Sequence, residues 1–314
     1  MTDPLSRGDF FGVSAVAGAA AAGAAAAGAH GSTLMPASPT ATIAMRWYGG
    51  GVYELATPDN ATIVLVDAWI WNNTGFTAFG ITKPPELSSA AAYAAHLRSR
   101  NPGAVIVALT HDHGDHMGDY FELLPALVAA GINVKTVGQS DLMRVGLVPK
   151  FQAAGLDEKA IVLNNGAGIN MGGTASFGGA RFELVPAVHS TAAGFPPAGF
   201  IIDLGGVRVY ASGDTDLFGD MALIGMRYHP DLAVVSSGNG AFTMGPDDAA
   251  YACKLVGAMH AVPVHYAHNP LVVGTQCGDI FRAAAARVAP QLAVTVMKPG
   301  ETTTLQVARH PARA

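Results

Sequence analysis

Thr110-His111-Asp112-His113-Gly114-Asp115-His116 follows directly on the apolar run Ala104-Val105-Ile106-Val107-Ala108-Leu109. The run is rich in β-branched residues and has no polar face, the pattern of a strand buried on both sides. The residues after it bring three imidazoles together with carboxylates inside six positions, a spacing that no single helical face can gather. On a tight loop at a strand end they can converge on a small volume. Imidazole and carboxylate are donors suited to zinc, manganese or iron. An ordinary polar surface loop is the alternative reading. Crowding titratable groups without a ligand is unfavourable, however, and the buried strand gives the loop a rigid base.

Outward from this loop the pattern is mixed. Thr62-Ile63-Val64-Leu65-Val66 is a second buried-strand run and ends at Asp67. Further strands are predicted at 132–137, 181–185, 199–204, 207–211, 232–235 and 261–265, and helices at 88–98, 119–130, 247–257 and 278–288. Strands and helices do not alternate strictly, and a hairpin turning at Gly205-Gly206 interrupts them. This favours two mixed sheets with outer helices over one doubly wound sheet. No internal repeat is evident.

The chain has 314 residues, 50% of them hydrophobic and 13% charged, enough apolar material for one large core or two moderate ones. With a net charge of −5 it offers no basic surface, so a small-molecule substrate is expected and no nucleic-acid partner. A homo-oligomer is possible. Cys253 and Cys277 lie in no zinc-binding spacing, and Cys253 reads as a small buried apolar residue of a helix. Residues 1–29 run from Ser6-Arg7-Gly8-Asp9-Phe10-Phe11 into a Gly/Ala-rich apolar stretch, and Ala27-Gly28-Ala29 offers a small-residue cleavage pattern. The segment resembles a twin-arginine export signal in which Gly8 stands for the second arginine, and it implies a periplasmic or exported protein. An Ala-rich helix or arm of a cytoplasmic protein is the alternative. Ala and Gly contribute little transfer energy, so stable membrane insertion is not expected. Residues 30–44 read as a linker, and 45–314 as one domain.

Three later segments repeat the strand-then-donor pattern: Val185-Pro186-Ala187-Val188-His189, Ala211-Ser212-Gly213-Asp214-Thr215 and Pro263-Val264-His265-Tyr266. With the first loop, they resemble the HxHxDH signature and following ligands of the metallo-β-lactamase superfamily. Gly213–Met221 and Phe242–Ala249 look like its L-ascorbate-6-phosphate lactonase branch. The resemblance implies a four-layer αβ/βα sandwich and a dinuclear centre of divalent cations, zinc or manganese. One cation would be held by His111, His113 and His189, the other by Asp115, His116 and His265, with Asp214 bridging. It implies hydrolysis of an ester-like bond (lactone, carboxylic ester or amide) by metal-bound hydroxide that Asp115 helps to orient. A phosphodiesterase or phospholipase-like activity is the runner-up, and a non-catalytic metal-binding protein a third reading.

Around this set, Asp67 is expected to hydrogen-bond the metal loop and set a histidine tautomer, or merely to cap its strand. His268 is a candidate proton donor. Trp69, Trp71, Asn239, Thr243 and Tyr266 are candidates for substrate contact, although Tyr266 could simply pack beside the site. Asp112 and Asp119 read as plain loop and helix-start carboxylates. The aperiodic stretch 68–86, with Trp69, Trp71, Phe76 and Phe79, is either an aromatic lid or a loop anchored to the core. Gly49-Gly50-Gly51 stands where relatives carry a polar side chain, which predicts a roomier, less polar pocket. No Arg or Lys clusters near the ligands in sequence to clamp a phosphate.

Overall fold

The computed structural model describes residues 39–238 and 241–313. The predicted leader, most of the predicted linker and Asn239 lie outside the described residues. The folded chain starts earlier than expected: β1 spans Thr40–Gly49, so a boundary at Met45 falls inside a strand. Thr40 and Thr42 continue the Pro-, Ser- and Thr-rich run that precedes them, which masks the start of the strand.

β1, β2 (Val52–Ala56), β3 (Thr62–Val66), β4 (Ala104–Leu109), β5 (Val134–Gly138) and β13 (Thr302–Ala308) form a six-stranded sheet in the order β13-β1-β2-β3-β4-β5. β6 (Thr174–Phe177), β7 (Ala180–Pro186), β8 (Ala198–Leu204), β9 (Val207–Ala211), β10 (Leu232–Ser236), β11 (His260–Val264) and β12 (Ala293–Val294) form a seven-stranded sheet in the order β12-β11-β10-β9-β8-β7-β6. Both are mixed. β3, β4 and β5 run parallel, as do β9 to β12, and the remaining neighbours are antiparallel.

β4 shows why its sequence has no polar face. Ala104, Ile106 and Ala108 point between the sheets, where they meet Trp47, Phe182 and Phe200. Val105, Val107 and Leu109 point outward to Tyr93 and Leu97 of helix Ala90–Ser99 and to Leu123 and Leu127 of helix Tyr120–Ala129. Helices Met221–Tyr228, Pro246–Val256 and Cys277–Val288 cover the other sheet through Ile224, Cys253 and Phe281. The result is the four-layer αβ/βα sandwich. The hairpin of β8 and β9 turns at Gly205 and Gly206 with φ of 59° and 85°, the left-handed pair that a two-residue turn requires. Both cysteines are free and buried. Among the described residues, no helix is long and apolar enough to cross a membrane.

Candidate metal centre

Strand ends from both sheets deliver the donors to one rim. Asp67 follows β3, the histidine loop follows β4, and His189, Asp214 and His265 follow β7, β9 and β11. Three groups of ligand atoms lie within 4.8 Å of one another: His111, His113 and His189; His111, His116 and Asp214; Asp115, His116 and His265. All seven residues expected from sequence are therefore brought together.

The contacts inside the cluster are those of groups aimed at a shared point. Asp214 Oδ2 lies 2.9 Å from His265 Nε2, 3.2 Å from His116 Nε2 and 3.7 Å from His189 Nε2. Yet the Nε2 atoms of His116 and His265 are buried without a hydrogen-bond partner, because these approaches are close but misaligned. His111 Nε2 and His113 Nδ1 face each other at 3.0 Å. Buried nitrogens that converge on a carboxylate without bonding to it fit a divalent cation.

A second layer of contacts fixes the donors. Asp67 Oδ2 lies 2.6 Å from His116 Nδ1 and accepts the Thr110 hydroxyl at 2.7 Å, while Oδ1 accepts the Thr110 backbone N–H at 2.8 Å. This is the orienting role expected of it, and it leaves His116 Nε2 for the centre. Ser236 Oγ donates to Asp214 Oδ1 at 2.9 Å and turns Oδ2 toward the histidines. Main chain closes in from behind. A Cβ at Gly51 would sit 2.5 Å from His116 Cε1, and one at Gly238 would sit 1.8 Å from the His265 carbonyl oxygen. The room expected from Gly49-Gly50-Gly51 is thus absent at Gly51, which the rings already fill. A Cβ at Gly50 would meet Trp69 at 3.4 Å and His268 at 3.6 Å, so only this glycine borders the pocket rings.

Electrostatics separate the histidines. Burial works against charge on His116, but Asp214 and Asp67 outweigh it and hold its pKa well above the ordinary value. His265 behaves alike and is raised to about 9 against its burial by Asp214 and Asp115. Burial and the neighbouring His116 push His111 well down. The Asp214 and Asp115 carboxyls lie far below the usual range, since the surrounding histidines overcome their burial.

Above the donors lies a cavity of about 620 Å³ lined by Trp69, Asp115, Phe242, His268, Asn269 and Pro270 among others, with no Lys or Arg among its described lining residues. His268 Nε2 is 3.4 Å from Asp115 Oδ2, its ring sits edge-on to Trp69, and burial lowers its pKa. Of the substrate candidates among the described residues, Trp69 alone is on this wall. Trp71 is half-buried against the helix-side core. Tyr266 is fully buried against Trp47, its hydroxyl directed at the Met297 carbonyl. Thr243 is buried away from the cavity. In the stretch 68–86, Trp69 lines the cavity, while Phe76 and Phe79 pack into the core.

Two carboxylates have parts that sequence reading misses. Asp119 is fully buried and does not cap its helix; it accepts the backbone N–H groups of Ile70 and Asn72 and anchors the aromatic loop. Asp112 accepts the N–H groups of Ala192 and Ala193 at 2.7 and 2.8 Å, pinning the loop that follows His189. Their partners lie dozens of residues away, and nothing local in the sequence announces them.

A two-sheet sandwich with this donor set at its strand ends defines a class, and comparison with known proteins agrees. The family model described as "Beta-lactamase superfamily domain" matches residues 62–266. The chain belongs to this superfamily and, within it, to the UPF0173 metal-dependent hydrolases. It is 37% identical over 201 residues to the "UPF0173 metal-dependent hydrolase" of Nitratidesulfovibrio vulgaris, covering 64% of this chain and 77% of that one. It is 31% identical over 287 residues to that of Thermodesulfovibrio yellowstonii, covering 87% and 96%. Among solved structures it is similar to Igni18, "a novel metallo hydrolase" from Ignicoccus hospitalis, with TM-score 0.64 and 26% identity over 84% of this chain and 98% of that one.

Proposed function

We propose that the protein hydrolyses an ester-like bond (a lactone, carboxylic ester or amide) in a small, largely apolar substrate at a two-cation centre. The observation that carries this reading is the convergence of seven His and Asp donors beneath a cavity with no Lys or Arg among its described lining residues. Phosphodiester or phospholipid substrates would call for a cationic clamp there, which makes that second reading weaker.

His111, His113 and His189 would hold one cation, and Asp115, His116 and His265 the other, with Asp214 between them. Zinc suits these donors best, and manganese is the alternative. When bound, divalent cations supply Lewis acidity toward the carbonyl and a nucleophilic hydroxide at neutral pH. The chain's own groups do the rest. Asp115, fully ionised, accepts a hydrogen bond from the attacking water and orients it. His268, kept neutral by burial, takes up a proton and returns it to the departing oxygen or nitrogen. Trp69 and Phe242 flank the substrate and keep bulk water from the reacting carbonyl. The leader-like residues 1–29 support an exported site of action, which N-terminal sequencing of secreted material would test.

Elemental analysis of the purified protein is expected to find up to two zinc or manganese ions per chain. Fewer than one transition metal under replete conditions overturns the reading. A panel of lactones, aryl esters and amides beside bis-p-nitrophenyl phosphate should show turnover in the first group. His116→Ala and Asp214→Ala should each reduce turnover by about a thousandfold or more with circular dichroism unchanged.

A further inference from the structure

On the far side of His113 lies a second cavity, of about 590 Å³, in which Met117, Phe121, Leu142, Val145, Leu147 and Phe195 supply apolar wall. His113 lines both cavities, so the second one adjoins the histidine loop. Gly114 lies on its wall, and a Cβ there would meet nothing within 4 Å, so open space begins immediately beside the histidine loop. One wall is the π-helical turn Leu142–Leu147, an irregularity common at functional sites. Another wall is the loop pinned by Asp112, whose two carboxylate oxygens are taken up by Ala192 and Ala193. Lys150 is the cation of this wall. Its ammonium lies 4.3 Å from the Phe121 ring centroid, and no carboxylate is within ion-pair distance of it among the described residues.

An apolar cavity that adjoins the histidine loop and carries one ammonium with no carboxylate partner among the described residues has the complement of a chain that is apolar along its length and anionic at its end. We propose that this cavity binds the acyl arm of the substrate, an alkyl or aryl chain ending in a carboxylate that meets Lys150. The assignment of the arm rests on the proposed function. There the leaving group departs beside His268 in the first cavity, so the acyl side of the scissile bond points to His113. Each methylene moved from water to such a wall is worth up to about fourfold in affinity, from a transfer term of about 0.8 kcal/mol at about 1.4 kcal/mol per decade. The terminal carboxylate adds discrimination between charged and neutral chains.

The test compares p-nitrophenyl acetate, p-nitrophenyl octanoate and the p-nitrophenyl monoester of suberate on the metal-loaded enzyme. Expected kcat/KM rises in that order. Val145→Trp, at a position 65% exposed, fills the chamber without disturbing the core. It should lower the two long substrates at least tenfold and leave the acetate unchanged. Lys150→Glu should lower only the suberate monoester, by roughly fivefold or more. If Val145→Trp changes all three alike, or the suberate monoester has no advantage over octanoate, the inference is wrong. If no ester is hydrolysed, the ester-bond reading fails by itself and calorimetric titration with suberate reads the chamber directly. Binding to the wild type that Val145→Trp abolishes sustains the chamber as the site of an anionic chain. No binding, or binding equal in both proteins, overturns it.

Discussion

His116 is constrained on several sides at once: Asp67 holds Nδ1, Asp214 faces Nε2, His265 stacks at 5.3 Å between centroids, and the Gly51 backbone lies behind the ring. Gly51→Ala would press a methyl group to within 2.5 Å of Cε1 in a place where both rings are buried and cannot swing aside. Overpacking of this kind costs about 1–3 kcal/mol, and here it falls on the ligand geometry. Competition with a chelator should show metal affinity reduced tenfold or more; unchanged affinity would mean that the rings can yield. The metal-binding character of this loop is legible from spacing, because His111, His113, Asp115 and His116 lie within a few residues, while the role of each ligand comes from the family resemblance. Gly51 is not legible in this way. A glycine in sequence does not say whether its missing side chain leaves space or marks an atom already there, and at Gly51 it is the latter.

Among the elements, the strands easiest to read are those buried on both faces, such as β3 and β4, along with the β8–β9 hairpin and its Gly205-Gly206 turn. β1 and β2 escape notice because they bury charge. Arg46 is 8% exposed and pairs with Glu86, and Glu54 is 3% exposed and pairs with Arg100 beside the hydroxyls of Tyr48 and Tyr93. β13 is half exposed and rich in threonine, so its alternation is weak. The stretch 68–86 is ordered by Asp119 and by Lys83, whose ammonium donates to the carbonyls of Ile70 and Asn73, contacts that sequence periodicity does not encode. The network around Arg46 also has a pH consequence. His96 Nε2 lies 3.4 Å from Arg46 Nη1, and burial together with the Arg46 and Arg100 guanidinium groups lowers the His96 pKa. Its folded value lies below the unfolded 6.5, so the unfolded chain binds the proton first and stability is lost as pH falls from about 6.5 through the folded value. Thermal melts at pH 7.5 and 5.5 should show a smaller acid-induced drop in His96→Gln than in the wild type. An identical drop would remove His96 from the cause.

At the scale of the whole molecule, the two sheets are tied together at the end opposite in sequence to the histidine loop. β13 belongs to the first sheet, but beyond it the His310 N–H donates to Asp231 at 2.7 Å and the Arg313 guanidinium pairs with the same carboxylate, at the start of β10 in the second sheet. Asp231 is fully buried and also accepts the Arg208 N–H at 2.8 Å. Asp231→Asn leaves Arg313 without its charge partner and should cost about 2–4 kcal/mol, lowering the melting temperature by roughly 3–6 °C in a chain of this size. A shift of about 1 °C or less would show that the sheets are held by their apolar interface alone. The donors of the centre stand on strand ends of both sheets and are backed by main chain at Gly51 and Gly238, whereas the cavity walls come from side chains on loops and outer helices. Heritable change is therefore partitioned. A substitution beneath the donors meets backbone and disturbs their geometry, while Val145 and Phe195 stand outside the donor set and can be exchanged without touching it. A lineage built on this scaffold can change its diet by point mutation at the rim, one residue at a time, without passing through an inactive ancestor.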